Sequence, residues 1–131
     1  MTTFQSEKKT IHNNNKRIYD FLTDLTNFHN LLPDQVKDWK STPTTCSFVI
    51  DGAGTLGFEI FEKEPFSMIR YKDFGNVPFH YDLVVEMEAV SETETTVQLA
   101  FEADLNAMLK MMLKKPLTNL LNMMIEKMET I

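Results

Sequence analysis

Hydrophobic and polar positions along this chain change their period once, near residue 104. Before that point, Phe79, Tyr81, Leu83, Val85, Met87 and Ala89 alternate with His80, Asp82, Val84, Glu86, Glu88 and Val90. This predicts a long strand with one apolar face. Val97, Leu99, Phe101 and Ala103 repeat the alternation, and the polar "SETET" at 91–95 predicts the hairpin between the two runs. Residues 68–74 read as a further strand, while 3–12 and 36–41 are extended in character. After Asp104 the spacing becomes helical. Leu105, Met108, Leu109, Met112, Leu113, Leu117, Leu120, Leu121, Met124, Ile125 and Met128 predict a long amphipathic helix with Asp104 as its N-cap. Pro116 falls inside it, where the apolar stripe also changes phase, so a kink is expected there.

Near the N-terminus, "NNN" at 13–15 offers side-chain oxygens to cap a helix. Ile18, Tyr19, Phe21, Leu22, Leu25 and Phe28 then recur at helical spacing, with a break expected near Thr26–Asn27 and an end at Leu32-Pro33. The order is strand, helix pair, five or six antiparallel strands, then one long C-terminal helix. That order predicts a single α+β domain over 1–131, with the last helix lying across the inner face of an antiparallel sheet.

Three of the four glycines, Gly52, Gly54 and Gly57, match the G-x-G-x-x-G spacing of a dinucleotide site. Such a site needs its glycines between a strand and a helix whose N-terminus faces the pyrophosphate. Here "FEIFEKEPF" follows, strand-like apart from Phe61, and Pro65 leaves little room for a helix. Asp73 lies about 20 residues on, as a ribose-binding acid would, but no strand–helix–strand unit surrounds it. Asp51-Gly52 is a hairpin signal, so these glycines are expected to turn the chain over Asp51–Gly54.

Charge narrows the partners. Residues 1–50 hold six basic against five acidic side chains, 51–103 hold three against eleven, and 104–131 hold four against three. The acidic middle discourages binding to a phosphate backbone, which needs a basic patch, and no nucleic-acid partner is expected. It reads as a solvated sheet face. No apolar run reaches the roughly 20 residues of a membrane span, and "MTTFQSEKKT" lacks the core of a signal peptide. A lone cysteine, Cys46, fits a reducing compartment and a cytoplasmic location, and is expected to be a small buried residue.

The chain resembles the SRPBCC superfamily (START/Bet v 1-like, the polyketide cyclase/dehydrase and lipid-transport group) in its small bacterial form. The resemblance covers nearly the whole sequence. It is carried by "NNNKRIYDFLTDLTNFHNLLP", "CSFVIDGAGTLGFEIFEKEP", "FHYDLVVEME" with "TTVQLAFEADLN", and "LKMMLKKPLTNLLNMMIEKM". It implies a helix-grip: a curved antiparallel sheet wrapped around the C-terminal helix, with an apolar cavity between them. Members bind lipids, sterols, polyketides or other hydrophobic molecules, and a minority catalyse cyclisation. No catalytic set is shared across the superfamily, so none is carried over.

Six of the nine methionines fall between Met108 and Met128, and flexible, polarisable methionine suits a surface for varied apolar partners. The expected pocket is lined by Phe58, Ile60, Phe79, Tyr81, Leu83, Met87, Leu99, Phe101, Met108 and Met112, and holds a small hydrophobic ligand. An enzyme of the cyclase or aromatase type would need a polar group in that pocket, from Tyr19, Tyr71, Tyr81 or His80. A protein-interaction or chaperone-associated module, or a homodimer, would expose the same methionines and leucines instead. His12, His29, His80 and Cys46 show no metal spacing; neither a metal nor a cofactor is expected. His29 is expected to cap or pack near the end of the first helical segment, and Glu59, Glu86, Glu88 and Glu102 to face solvent. Titration with NADH at micromolar concentration should give no saturable fluorescence change; saturable binding would overturn the hairpin reading of the glycines.

Overall fold

A computed structural model describes residues 1–34 and 36–131. Eight strands form one antiparallel sheet: β1 (Thr2–Gln5), β2 (Lys9–Ile11), β3 (Lys37–Ser41), β4 (Thr45–Ile50), β5 (Gly54–Glu64), β6 (Met68–Asp73), β7 (Tyr81–Ser91) and β8 (Glu94–Ala103). The spatial order is β1-β8-β7-β6-β5-β4-β3, and β2 also pairs with β8. Between β2 and β3 lie helix α1 (Asn15–Leu22) and a 3-10 helix (Leu25–Leu31); the long helix α2 (Ala107–Lys127) follows β8. This is the helix-grip: a large sheet whose apolar face is closed by the last helix.

Alternation along the strands builds that face. Tyr81, Leu83, Val85 and Met87 of β7 and Val97, Leu99, Phe101 and Ala103 of β8 are buried. The register joins them across the pair, Leu83 to Phe101 and Val85 to Leu99. Phe79 precedes β7 rather than opening it, and Ala89 is exposed because the strand there runs past the core. In β5, Phe61 spoils the alternation because it is the extra residue of a bulge: Ile60 pairs with Tyr71 and Glu62 with Arg70. Phe61 therefore turns outward, 60% exposed, with the Lys72 ammonium 4.5 Å from its ring centre.

Two helix boundaries differ from those the sequence predicts. Asn14 caps α1, its Oδ1 accepting from Arg17 N–H at 2.7 Å. The break after α1 comes at Thr23–Asp24, earlier than Thr26–Asn27. Thr23 Oγ1 donates back to the Tyr19 carbonyl, and Asp24 caps the next turn through Thr26 N–H. The N-cap of α2 is Asn106 rather than Asp104: its Oδ1 accepts from Leu109 N–H at 2.9 Å, while residues 104–106 are the connection from β8. Helix α2 runs unbroken through Pro116.

The inward face of α2 carries Leu113, Leu117, Leu120, Leu121, Met124 and Ile125, all buried. Three polar ties hold this half of the helix and the chain end. Asn122 accepts from Glu7 N–H at 3.0 Å, Lys127 Nζ donates to the Leu32 carbonyl at 2.7 Å, and Asn13 Nδ2 donates to the Ile131 carbonyl at 3.0 Å.

The glycine triplet makes a hairpin with a structural pin behind it. Ile50 pairs with Gly54 across the turn, and Gly52 and Gly54 have φ of 87° and 82°, the left-handed region that glycine enters without strain. Gly57 serves differently. Its N–H donates to the Tyr81 hydroxyl and its carbonyl accepts from the same hydroxyl, each at 2.7 Å. A Cβ at Gly57 would overlap the Phe74 carbonyl oxygen. Gly57→Ala should therefore lower the urea midpoint by more than Gly54→Ala, whose cost is backbone strain alone, about 1 kcal/mol. Tyr81→Phe, which removes the hydroxyl partner of the Gly57 N–H and leaves the carbonyl with Phe74 N–H alone, should cost about 1–3 kcal/mol; a Gly57→Ala midpoint at the wild-type value would contradict the pin.

Candidate functional site

The concave face is an aromatic layer. Phe58 meets Tyr81 with ring centres 5.4 Å apart, Tyr81 stacks on Phe101 at 4.8 Å, and Phe79 touches Tyr81 and Phe101 at 5.6 and 6.4 Å. Phe28 and Tyr71 extend it toward α1, 5.1 Å apart. Of the residues expected to line the pocket, Phe58, Tyr81, Leu83, Met87, Leu99 and Phe101 are buried, and Ile60 and Phe79 pack partly buried against them. Met108 and Met112 do not join this group; they are 66% and 61% exposed. Their side of α2 is opposite the buried stripe, so these two methionines do not face the sheet, whereas Met124 and Met128 are buried in the core.

Open space lies at the edge of the layer instead. A cleft of about 480 Å³ is bounded by Pro33 and Val36, by the β4–β5 turn (Ile50, Asp51, Gly52), and by Met112, Lys115, Pro116, Asn119, Leu120 and Met123 of α2. Its walls come from three elements far apart in sequence. Gly52 is the point of closest packing: a Cβ there would lie 3.4 Å from Pro116 Cβ. The floor is apolar, with Leu120 buried and Ile50 half-buried. Lys115, Asp51 and Asn119 supply the polar atoms. Met112 is the one residue shared by this cleft and the sequence-predicted pocket. The others escaped the sequence because a wall built from a turn, a loop and a helix has no periodicity; the Asp51-Gly52 turn and Pro116 were the available signals.

The groups that could carry chemistry are engaged elsewhere. The Tyr71 hydroxyl donates to the Leu22 carbonyl, and the Tyr81 hydroxyl is held by Gly57. Tyr19 packs edge-on against Phe66 at 5.4 Å. His80 is exposed, with Nδ1 3.0 Å from Asp73 Oδ2. Burial would raise the Asp73 carboxyl, but hydrogen bonds from His80 and from Tyr81 N–H outweigh it and hold the group below its ordinary value. None of these four candidates lines the cleft. His29 stacks on Trp39 at 5.1 Å, in the last turn of the 3-10 helix that ends the first helical segment, the place expected for its packing. On the outer sheet face, Arg70 donates to Asp82 at 2.7 Å and to Glu102 at 3.0 Å, so Glu102 is paired rather than simply solvated. No group of three or more metal-ligating side chains occurs among the described residues, and no described helix is long and apolar enough to cross a membrane.

No family model and no curated protein matches the sequence. Solved structures do match the fold. A START superfamily protein from Mycobacterium smegmatis superposes with a TM-score of 0.70 at 9% identity, covering 98% of this chain and 94% of that one. The Zhui aromatase/cyclase from a Streptomyces species gives 0.68 at 14% identity, with 96% and 93% covered. An Aha1 dimer from Colwellia psychrerythraea gives 0.59 at 16%, with 90% and 97% covered. All three are SRPBCC-type folds, and the helix-grip of this chain is the same fold.

Buried acids give the core a defined response to alkali. Burial pushes the Cys46 thiol up to about 12 from 9.0, against a hydrogen bond with the Phe58 backbone. Burial likewise raises the Tyr71 and Tyr81 hydroxyls above 10.0. The native state keeps all three protonated while the unfolded chain loses these protons at ordinary values, so the stability they contribute is complete below about pH 9 and falls as pH rises beyond it. The unfolding free energy from urea titration should drop between about pH 9 and about pH 12, by up to about 1.4 kcal/mol per pH unit for each group titrating. Over the same range the native Cys46 should resist alkylation that the unfolded chain undergoes readily; a flat alkaline profile would contradict the burial of these groups.

Proposed function

We propose that this protein binds a small hydrophobic ligand, and that the cleft between α2 and the β4–β5 turn is its seat. The observation that carries the reading is the cleft itself: about 480 Å³ of open space, within the usual range for small-molecule sites. Its composition supports the same conclusion, an apolar floor of Ile50, Leu120, Met123 and Pro116 with three polar groups at its wall, Asp51, Lys115 and Asn119. An apolar body would be buried against the floor, and one polar end would bond to Lys115 or Asn119. Flexible Met112 and Met123 would accommodate ligands of different shape.

The likeness to a START superfamily protein and to an aromatase/cyclase is consistent with a ligand-binding fold. In this reading the aromatic layer of Phe58, Phe79, Tyr81, Leu99 and Phe101, with Ile60, Leu83 and Met87, is the wall toward which a longer ligand would extend if the first half of α2 shifted outward. Met108, already exposed, would give up little contact in such a movement, and its cost would fall on the buried Leu113 and Leu117. A protein-interaction role is favoured by a separate observation, the solvent-facing methionines of α2. A cytoplasmic location is retained as part of the proposal.

Anilinonaphthalene sulfonate should bind the native protein with saturable fluorescence and without loss of near-ultraviolet circular dichroism, which separates cleft binding from a molten globule. Filling the cleft with Met112→Trp and Asn119→Trp, both exposed positions, should weaken binding about tenfold or more while the fold stays intact. Unchanged binding by the double variant would move the site away from the cleft.

A further inference from the structure

The first half of α2 is apolar on both sides. Leu113 and Leu117 are buried against the sheet. Met108, Met111 and Met112, spaced i, i+3 and i+4 along the opposite side, are 66%, 82% and 61% exposed. A cluster of exposed apolar side chains on one helix face marks an interaction surface; here only the opposite face is covered. Lysine accompanies the methionines. Lys110, Lys114 and Lys115 are all exposed, and residues 105–125 contain no acid. No ion pair reaches these three lysines among the described residues.

The acidic surplus of the chain lies elsewhere. Glu86 and Glu88, beside Asp82 and Glu102 that Arg70 and Lys72 pair, project from the outer phase of β7 and β8, alternating with buried residues. The molecule is therefore polarised, with a basic, methionine-bearing helix on one side of the core and an acidic sheet face on the other. Net charge of −6 understates how the helix side would meet an anionic surface, because exposed charges beyond about 8 Å are largely screened at physiological salt.

From this geometry we infer that the outer face of α2, centred on Met108 and Met111 and flanked by Lys110 and Lys114, docks peripherally on an anionic lipid surface. Three features select this occupant. A second copy packed face to face on this helix would bring like-charged lysines together, and one packed on the acidic sheet would build an open chain rather than a closed dimer. The stripe lies on the outside of a single helix, and the hollow beside Met111 is lined by α2 residues alone (Lys114, Lys115, Thr118 and Asn119), with no second wall to grip a peptide strand or helix. Unbranched methionine side chains between lysines match an interfacial helix, whose apolar side chains enter the headgroup boundary while its cations meet lipid phosphates.

The test is flotation of the full chain with vesicles of phosphatidylcholine alone and of phosphatidylcholine mixed with phosphatidylglycerol. Wild type should float with the mixed vesicles only, and raised salt should release it. Lys110→Glu with Lys114→Glu should lower partitioning by about fivefold or more for each lysine replaced. Met108→Ser with Met111→Ser should lower it about tenfold. None of these four residues lines the cleft, so both variants should keep wild-type binding of anilinonaphthalene sulfonate; failure of docking is thus distinguishable from failure of the ligand reading. All four are exposed, and unchanged circular dichroism will show that the variants fold. Absence of wild-type partitioning, or equal partitioning by wild type and both variants, overturns the inference. So does a concentration-dependent dimer in sedimentation that the methionine variant abolishes while wild type ignores vesicles, which assigns the face to a second copy.

Discussion

A curved sheet with an aromatic concave face is stable only if something apolar covers that face, and α2 from Leu113 to Ile125, chiefly its second half, is the cover. Leu113, Leu117, Leu120, Leu121, Met124 and Ile125 are each buried there. Burying one such side chain contributes about 1.5–3 kcal/mol, so the stripe contributes on the order of 10 kcal/mol, as much as the whole net stability of a typical domain. The polar ties from Glu7, Leu32 and Asn13 all land on this half or on the chain end beyond it. They fix where the helix lies along the sheet, while apolar burial supplies the energy.

Once that half is committed, the first half is free to do something else. It leaves β8 through residues 104–106, is capped by Asn106, and packs half-buried against the core at Leu109 before its first buried side chain at Leu113. Pro116 stands at the transition. Its ring packs beside Gly52 of the β4–β5 turn, and the cleft opens around this contact. A side chain at position 52 would press on Pro116 and would also have to adopt a positive φ. The turn and the helix interior thus constrain one another, and the space between them is a product of that constraint.

How much of this was legible in the sequence depended on periodicity. Strands β7 and β8 and the extent of α2 followed from alternation and helical spacing, since burial on one face writes a repeat into the chain. Phe61 looked like an error in the pattern and is a bulge. The helix break after α1 was misread by a few residues because Thr23 and Asp24 end the helix through their own side chains, a local device that leaves the apolar spacing unchanged. Asp104 and Asn106 are both good caps; strand β8 runs on to Ala103, and the chain needs residues 104–106 to turn. Helical spacing alone could not say which of two apolar sides of α2 faces the sheet. Met108 and Met112 were therefore assigned inward when they face out, and the walls contributed by Pro33, Val36 and Asp51 carried no pattern at all.

The central claim is that open, ligand-accepting space lies beside Pro116 rather than within the aromatic layer. Amide chemical-shift mapping during titration with anilinonaphthalene sulfonate tests it most directly. The account predicts perturbations confined to Ile50–Gly52, Val36 and residues 112–123, with the amides of Leu83, Leu99 and Phe101 unmoved. Perturbations centred on those strand residues, with the β4–β5 turn silent, would contradict it.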